Sequence, residues 1–526
     1  MALKLNDFLL GPGASAPAKA PAAPVRRRSF RNSVQAVTRM IFGSSDINRL
    51  TSDWTTDPLP ADQIVNKHWR ILVARSREQL WNNDWFKAYA RLCRQNIVGS
   101  SGIVFQSKAR TAAGKIDKKA KSAVERAFTD WSKRQHCDIT GKRSWREIQN
   151  QCVQSCVTDG EFMLRVITGR AAGKYGFALQ VLDPVRCPID YDRASLSNGS
   201  YIRHGIEFNK YGKPVAYHFT ESTAQRSSDA YSYAGRSFLR VPAEEILHGY
   251  RAEMAGQKRG LPWLSTGLFR LKQLGAFEDA AIVNARVGAA KLGVIEYAEG
   301  EGPACNDIDD SEDMMPEISG DPGTFMTLPN GAKLNKFDPT YPSGEFAVFN
   351  KQMLRGIAAG GGVSYHNLAQ DLEGVNFSSI RQGTLDEREH FKELQEWLIE
   401  ELAEPAFEQW FDNAMLRGLV KKDDGAALPA ARTEQFAEHE FQGRRWEWID
   451  PNADMKAAEG RKNNLLASPG GLIREGGKDP NVVWQEVGDD IKAMQAAGIP
   501  MEIIKLSMGI ETPAAPPEAS KANEDA

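Results

Sequence analysis

Residues 246–292 read ILHGYRAEMAGQKRGLPWLSTGLFRLKQLGAFEDAAIVNARVGAAKL. The run opens strand-like through His248. It passes into a charged, glycine-bearing loop, Gly256-Gln257-Lys258-Arg259-Gly260, and then sets Pro262 where a helix would take its first turn. Leu261, Leu264, Leu268, Leu271 and Leu274 follow at spacings of three and four, the mark of one buried helix face. Beyond Leu274 the large residues give way to Gly275, Ala276, Ala280, Ala281, Ala285, Gly288, Ala289 and Ala290. Small residues let a helix approach its neighbours closely, at a propensity cost of about 1 kcal/mol per glycine. A continuous helix from Pro262 to Leu292 would be roughly 45 Å long at 1.5 Å per residue. That is long for a core helix and suits a rod packed beside others.

Outward toward the N-terminus, Glu161–Ile167, Phe177–Leu182, Ile202–Phe208, Ala216–Phe219 and Ile246–Tyr250 have strand patterning. Lys210-Tyr211-Gly212-Lys213 is a hairpin-type turn. Before them, Trp69, Leu72, Val73, Leu80, Phe86, Tyr89 and Leu92 predict a helix over Asn66–Asn96. Val98–Gln106 reads as a strand. Lys121–Gln135 and Ser144–Thr158 read as helices, the second N-capped by Ser144 with Glu147 closing a capping box. Residues 1–50 carry an Ala/Pro run from Pro12 to Pro24 and the cluster Arg26, Arg27, Arg28 and Arg31, the composition of a disordered basic arm.

Toward the C-terminus, nine carboxylates lie between Glu299 and Asp321: Glu299, Glu301, Asp307, Asp309, Asp310, Glu312, Asp313, Glu317 and Asp321. With no Lys or Arg before Lys333, this segment reads as a self-repelling surface loop. Phe325–Phe337 has alternating, strand-like character around Asn330-Gly331, a tight-turn signal. A second helix is predicted over Gly344–Ala359, stopped by Gly360-Gly361-Gly362. Residues 363–380 are irregular, Gln382–Leu416 is helical, and 454–510 form a more polar helical region. The tail from Thr512 is rich in Pro, Ala and Glu. The whole predicts an α+β protein.

Composition narrows the function. The chain has 526 residues, 41% hydrophobic and 25% charged, with a formal net charge of −2. No apolar run of about 18 residues is present, so no membrane span is expected. The first 13 residues are too weakly apolar for a secretory signal. Six cysteines are scattered without a CxxC, which points to reduced thiols. A near-neutral balance argues against a tight grip on DNA, because phosphate contacts dominate such affinity.

Catalytic readings are weak. Gly360-Gly361-Gly362 lacks the Gly-Lys-Ser/Thr of a phosphate-binding loop and reads as a helix stop, so the chain is not expected to be an ATP-driven motor. Cys152 and Cys156 share a helix face, but a metal would need two further ligands, for which only His136 and Cys137 are near; buried thiols are the simpler reading. His248, beside a strand end, reads as a packed or capping histidine. Asp159-Gly160-Glu161 reads as a turn rather than an acid/base pair. Asp309, Asp310 and Asp313 fit no EF-hand loop. The alternative these carboxylates leave open is a metal-dependent hydrolase or nuclease using Asp159/Glu161 or Asp309/Asp310. No cofactor is expected.

A set of short motifs in order carries more weight. These are Arg75-Ser76-Arg77 through Asn82-Asn83, Val98-Gly99-Ser100-Ser101-Gly102-Ile103, Asp159-Gly160-Glu161-Phe162, Gly212-Lys213-Pro214-Val215-Ala216-Tyr217, the Gly256–Gly260 loop, Asn376-Phe377-Ser378-Ser379-Ile380-Arg381, and Trp446–Pro451. Over about residues 55–455 this order resembles the lambda-type portal proteins of tailed bacteriophages. The resemblance implies an arm (1–50), a wing (51–260 and 384–450), a first stem helix (261–293), a clip with the acidic loop (294–343), a second stem helix (344–362), a tunnel loop region (363–383), a crown (451–511) and a tail (512–526). It further implies a ring, usually of twelve subunits, in the capsid. Double-stranded DNA would pass through it without sequence readout. The implied partners are the terminase large subunit, head–tail connector proteins, and the major capsid protein and scaffold, with no enzymatic activity and no membrane. The DNA-channel candidates are Lys272, Arg286, Lys291, Lys351, Arg355, Gln370, Asn376, Ser378, Ser379 and Arg381. Candidates for docking a basic partner are Glu299, Glu301, Asp307, Asp309, Asp310, Glu312 and Asp313.

Overall fold

The computed structural model describes residues 49, 52, 55–197, 199–220, 238–289, 293–297, 332–336, 345–374, 376–446 and 451–507. The chain divides into two units, Met1–Leu59 and Pro60–Ala526. In the first, Ser52 Oγ donates to the Arg49 carbonyl at 3.4 Å. The expected basic arm, the acidic segment 299–321, the Asn330-Gly331 turn and the Pro/Ala/Glu tail lie outside the described residues.

The second unit is α+β. It opens with helices α1 (Ala61–Asn82) and α2 (Asp84–Ile97) where the sequence predicts a single helix. Asn83 breaks the run: it is extended, and its side chain accepts from Phe86 N to cap α2. Strand β1 (Val104–Ser107) is shorter than expected, because the positive φ at Gly99 and Gly102 turns the chain before it can pair. Helix α3 (Lys118–Trp131) starts at an Asp117 cap. Helix α4 (Trp145–Asp159) has the Ser144/Glu147 capping box, and Gly160 in the left-handed region ends it.

From Gly160 the chain enters β2 (Glu161–Thr168), the centre of an antiparallel sheet between β3 (Phe177–Leu182) and β8 (Ile246–Tyr250). A second sheet runs in the order β4 (Tyr201–Arg203), β5 (Ile206–Phe208), β6 (Pro214–Thr220), β7 (Phe238–Pro242). The sequence reads β4 and β5 as one strand. His204 (φ 55°) and Gly205 (φ 78°) instead make a two-residue hairpin, the positive-φ pair that matches strand twist.

Helix α5 is described over Leu268–Ala289. Residues 262–267 form turns rather than its first turn, with Ser265 N donating to Pro262 O and Gly267 N to Leu264 O. The leucine face survives this shift: Leu264, Leu271 and Leu274 are fully buried. Strands β9 (Gly293–Tyr297) and β10 (Ala332–Lys336) pair antiparallel. Helix α6 (Glu345–Gly360) returns beside α5, then a short turn of helix, α7 (Tyr365–Ala369), precedes α8 (Phe377–Leu398).

The predicted single helix over Gln382–Leu416 is two, α8 and α9 (Glu404–Leu416), joined through a π-turn at Ile399–Ala403. Pro405 in the first turn of α9 has no N–H to give, and the widened turn carries the chain past that missing bond. Strand β11 (His439–Gln442) pairs with β1. Among the described residues, four further helices follow: α10 (Pro451–Asn463), α11 (Pro469–Glu475), α12 (Pro480–Ala496) and α13 (Met501–Ser507). The largest core cluster joins α2–α4, the β2 sheet, α5, α6, α8 and α9. Within it Phe105, Phe128, Trp131, Phe407 and Trp410 stack at centroid separations between 4.5 and 5.9 Å, large buried area held in specific geometry.

Candidate functional site

Two motifs far apart in sequence meet at the foot of α5. A Cβ at Gly160 would fall 2.2 Å from the Leu261 carbonyl carbon, and one at Gly260 2.0 Å from the Gly160 oxygen. Only glycines let these backbones cross. Directly beside the crossing, Arg259 and Glu161 are fully buried. Arg259 Nε donates to Glu161 Oε1 at 2.7 Å. Its remaining donors reach Cys187 O at 3.1 Å, His204 O at 2.9 Å and Pro184 O at 3.1 Å, and the guanidinium lies 4.9 Å from the Trp69 ring centroid. Glu161 also meets His248 Nε2 at 3.0 Å and accepts from Gly260 N at 3.2 Å. Burial pushes the Glu161 carboxyl up, but Arg259 and His248 outweigh it and hold it at about 2.

The rest of the loop is fixed in the same manner. Gln257 Oε1 accepts from Glu253 N at 2.9 Å and its amide donates to Arg259 O at 2.8 Å. Lys258 pairs with Asp62. On the other side of the crossing, Arg77 spans Asp159 at 2.7 Å and Asp183 at 2.6 Å. Asp159 and Glu161 are therefore each committed to a guanidinium, and neither is available as a general acid or base. Among the described residues no group of three or more His, Cys, Asp or Glu could hold a metal ion. Cys152 and Cys156 are buried in the core, and burial pushes both thiols up.

Helices α5 and α6 run antiparallel. Phe277 stacks on Phe346 at 5.4 Å and touches Phe349 at 4.8 Å. Nearer the foot of α5, Arg270 lies against Gly356, and Leu264 against Gly361. At the glycine run, Tyr89 OH donates to Gly361 O at 3.2 Å, and Gly362 (φ 67°) turns the chain; the run is a packed helix stop. Much of the pair's apolar surface faces outward in the single chain: Phe269 is 71% exposed and Val348 62%.

The segment after α6 is ordered by Asp371, which accepts from Lys351 at 2.9 Å, Tyr365 OH at 2.7 Å and Glu373 N at 2.9 Å. These donors hold its carboxyl below the usual range, Lys351 first. Lys351 and Arg355 both lie over the Tyr365 ring, at 5.5 and 5.6 Å. Gln370 takes a left-handed conformation that ends α7. Asn376 caps α8 by accepting from Ser379 N at 2.9 Å, and Ser378 Oγ donates to Asn376 Oδ1 at 2.9 Å. Arg381 pairs with Asp454 at 3.1 Å. Lys272 sits 3.6 Å from Glu78 with both side chains largely exposed, and Arg286 is exposed on α5. Lys291 and the seven docking candidates Glu299, Glu301, Asp307, Asp309, Asp310, Glu312 and Asp313 lie outside the described residues. The structure thus sets Lys351 and Arg355 against one tyrosine, places Gln370 at the end of α7, puts Asn376, Ser378 and Ser379 in one helix cap, and leaves Lys272, Arg286 and Arg381 at separate places.

The profile of the phage portal protein, lambda family, matches residues 48–395. The chain is 33% identical, over 91% of its length and 90% of the relative's, to the probable portal protein of Halomonas phage phiHAP-1. The chain belongs to the lambda family of phage portal proteins. Portal protein B of Escherichia phage lambda is 20% identical over 90% of this chain and 91% of its own, and the portal protein of Escherichia phage N15 is 21% identical over 88% and 89%. A chain from the neck of an empty gene transfer agent particle overlays with a TM-score of 0.41 at 13% identity, covering 78% of this chain and 95% of that one. The family is one of structural proteins and not of enzymes. Within this portal-family chain, the residues that sequence reading passed over are Arg259 and Glu161 as partners. Their motifs are both visible in the sequence, and a lone arginine in one with a lone glutamate in the other is the signal that could have joined them.

Proposed function

We propose that the chain assembles into a ring, of twelve copies, that forms the DNA channel at one capsid vertex of a phage particle. The observation that carries this is the α5/α6 pair. Its two helices bury their facing sides on each other and leave Phe269, Ile282, Val283 and Val348 in water, which neighbouring copies would cover in a closed ring. In this reading α5 and α6 are the stem, the helices and sheets through β8 together with α8 and α9 are the wing, and α10–α13 are the crown. The β9/β10 pair with the acidic segment is the clip. There the Glu299–Asp321 carboxylates would dock a basic face of the terminase large subunit and later of head–tail connector proteins, by charge complementarity. The major capsid protein and scaffold would surround the wing during assembly in the host cytoplasm.

The work done at the channel is mechanical. Cations such as Lys272, Arg286, Lys351 and Arg355 would meet phosphates without reading bases, while the Arg259–Glu161 hub fixes the stem to the wing. Genome packaging, head–tail joining and ejection then use one passage. Negative-stain microscopy and native mass measurement of the purified chain test the reading. Rings with a central hole are expected, and a chain that stays monomeric at every concentration, and within particles, overturns it.

A further inference from the structure

Away from the stem, an open cleft of about 910 Å³ lies where α2, the start of α4 and the segment after β11 come together. Six cations line it: Arg91, Arg94, Lys142, Arg143, Arg146 and Arg444. The single carboxylate present, Glu147, is already taken by the Ser144 backbone and hydroxyl in the capping box, at 2.7 and 3.0 Å. In a chain whose net charge is −2, this concentration of one sign is a local departure that costs self-repulsion unless an anion relieves it. Arg146 and Arg444 are tied to carbonyls of Ser100 and Gln95, which neutralise no charge. Arg94 Nε and Gln154 Nε2 are buried donors with no acceptor among the described residues, and both residues line the cleft.

We propose that this cleft binds the phosphate backbone of duplex DNA, at a second contact surface separate in the chain from the stem and its loop; the proposal rests on the reading of the chain as a DNA gateway. The remaining lining residues are Gln95, Gly99, Ser100, Asn150, Gln151 and Gln154, so no aliphatic or aromatic side chain faces the space. A protein partner would need an apolar anchor, since buried aromatic and aliphatic groups carry most interface energy. A single strand would need an aromatic platform for its bases. A duplex backbone needs neither, only cations and neutral donors. Five of the six cations are arginines, whose planar fork matches phosphate oxygens.

The test is duplex binding by the full chain, read by fluorescence anisotropy of a labelled linear duplex over a salt series, with ring yield counted by microscopy in the same samples. The variant is Arg91→Gln/Lys142→Gln/Arg143→Gln, three cations at the cleft wall. With about 0.9 of a unit lost per phosphate contact, the slope of log affinity against log salt should flatten by about 2.7. Binding at low salt should weaken at least about tenfold, with ring yield unchanged. A control variant on the exposed turn between β5 and β6, Lys210→Gln/Lys213→Gln, should leave this slope in place. Unchanged binding in the cleft variant, or no duplex binding by the parent, overturns the proposal and leaves the ring reading standing. Loss of rings in the cleft variant also overturns it, by making the cleft a subunit interface. Capture of a poly-glutamate peptide in preference to duplex assigns the cleft to an acidic protein and overturns it as well.

Discussion

At the scale of single residues, the molecule turns on one buried ion pair. Arg259 and Glu161 are both excluded from solvent, every guanidinium nitrogen has an acceptor, and His248 and Gly260 complete the carboxylate. Breaking such a pair strands a charge, which costs about 3–5 kcal/mol. Glu161→Gln keeps the shape and removes the charge, so it should lower the urea midpoint by an amount equivalent to that range. A shift under about 1 kcal/mol would mean that the carbonyls alone satisfy Arg259. The pair also sets an acid limit. Glu161 is held at about 2, below the roughly 4.3 of an unfolded glutamate. Its contribution is complete above about pH 4.3 and fades as pH falls toward 2. Stability of the parent measured across that window should fall more steeply than that of Glu161→Gln, and parallel curves would show that other carboxylates dominate. Both partners sit in motifs that are plain in the sequence, yet their meeting is not. They are 98 residues apart, and nothing in local patterning says that the charges are buried or which loop crosses which turn.

At the scale of elements, periodicity located most of the longer helices and strands but not β7, β11 or the short α7, and the departures have local causes. The leucine ladder from Leu261 to Leu274 was legible as a buried face, but Leu264 reaches the core from a turn rather than from helix, and Leu261 packs half-buried beside the smaller Val65/Trp69/Val73 cluster. Asn83 splits a helix because its side chain satisfies Phe86 N better than the helix interior would. Pro405 converts one helix to two through the π-turn. The strand β7 went unread because Phe238–Pro242 is short and follows a long polar stretch. The stem expectation is the one with a direct test. In the single chain Phe269 and Val348 expose apolar surface that carries no structural role within it. Phe269→Glu/Val348→Glu should therefore leave the melting temperature of the monomer within a few degrees of the parent while sharply reducing ring yield by native mass. Rings at parental yield would show that the subunit interface lies elsewhere.

At the scale of the whole molecule, charge is distributed by place. The balance is near neutral, yet six cations line one cleft and two lie over Tyr365, and the sequence concentrates carboxylates between Glu299 and Asp321. On the proposed function, that pattern would guide phosphates lightly and meet protein partners at the acidic segment. The loop after α6 is where a guide and a mere connector differ in their consequences. Most of the segment is fastened: Asp371 binds Lys351 and Tyr365, and Asn376 caps α8. Among the described residues of the tip, Leu372, Glu373 and Gly374 stand exposed, Leu372 at 64%, and they touch the anchors through the Glu373 amide, which donates to Asp371. Removing those three residues gives up that amide bond but keeps the Lys351, Tyr365 and Asn376 contacts, and so should preserve the fold and the ring. If the tip borders the passage, particles built with the shortened chain should assemble normally but contain less packaged DNA, scored as the ratio of filled to empty heads by microscopy. Normal filling would remove the tip from the channel, and a failure to form rings would make it part of the contact between subunits.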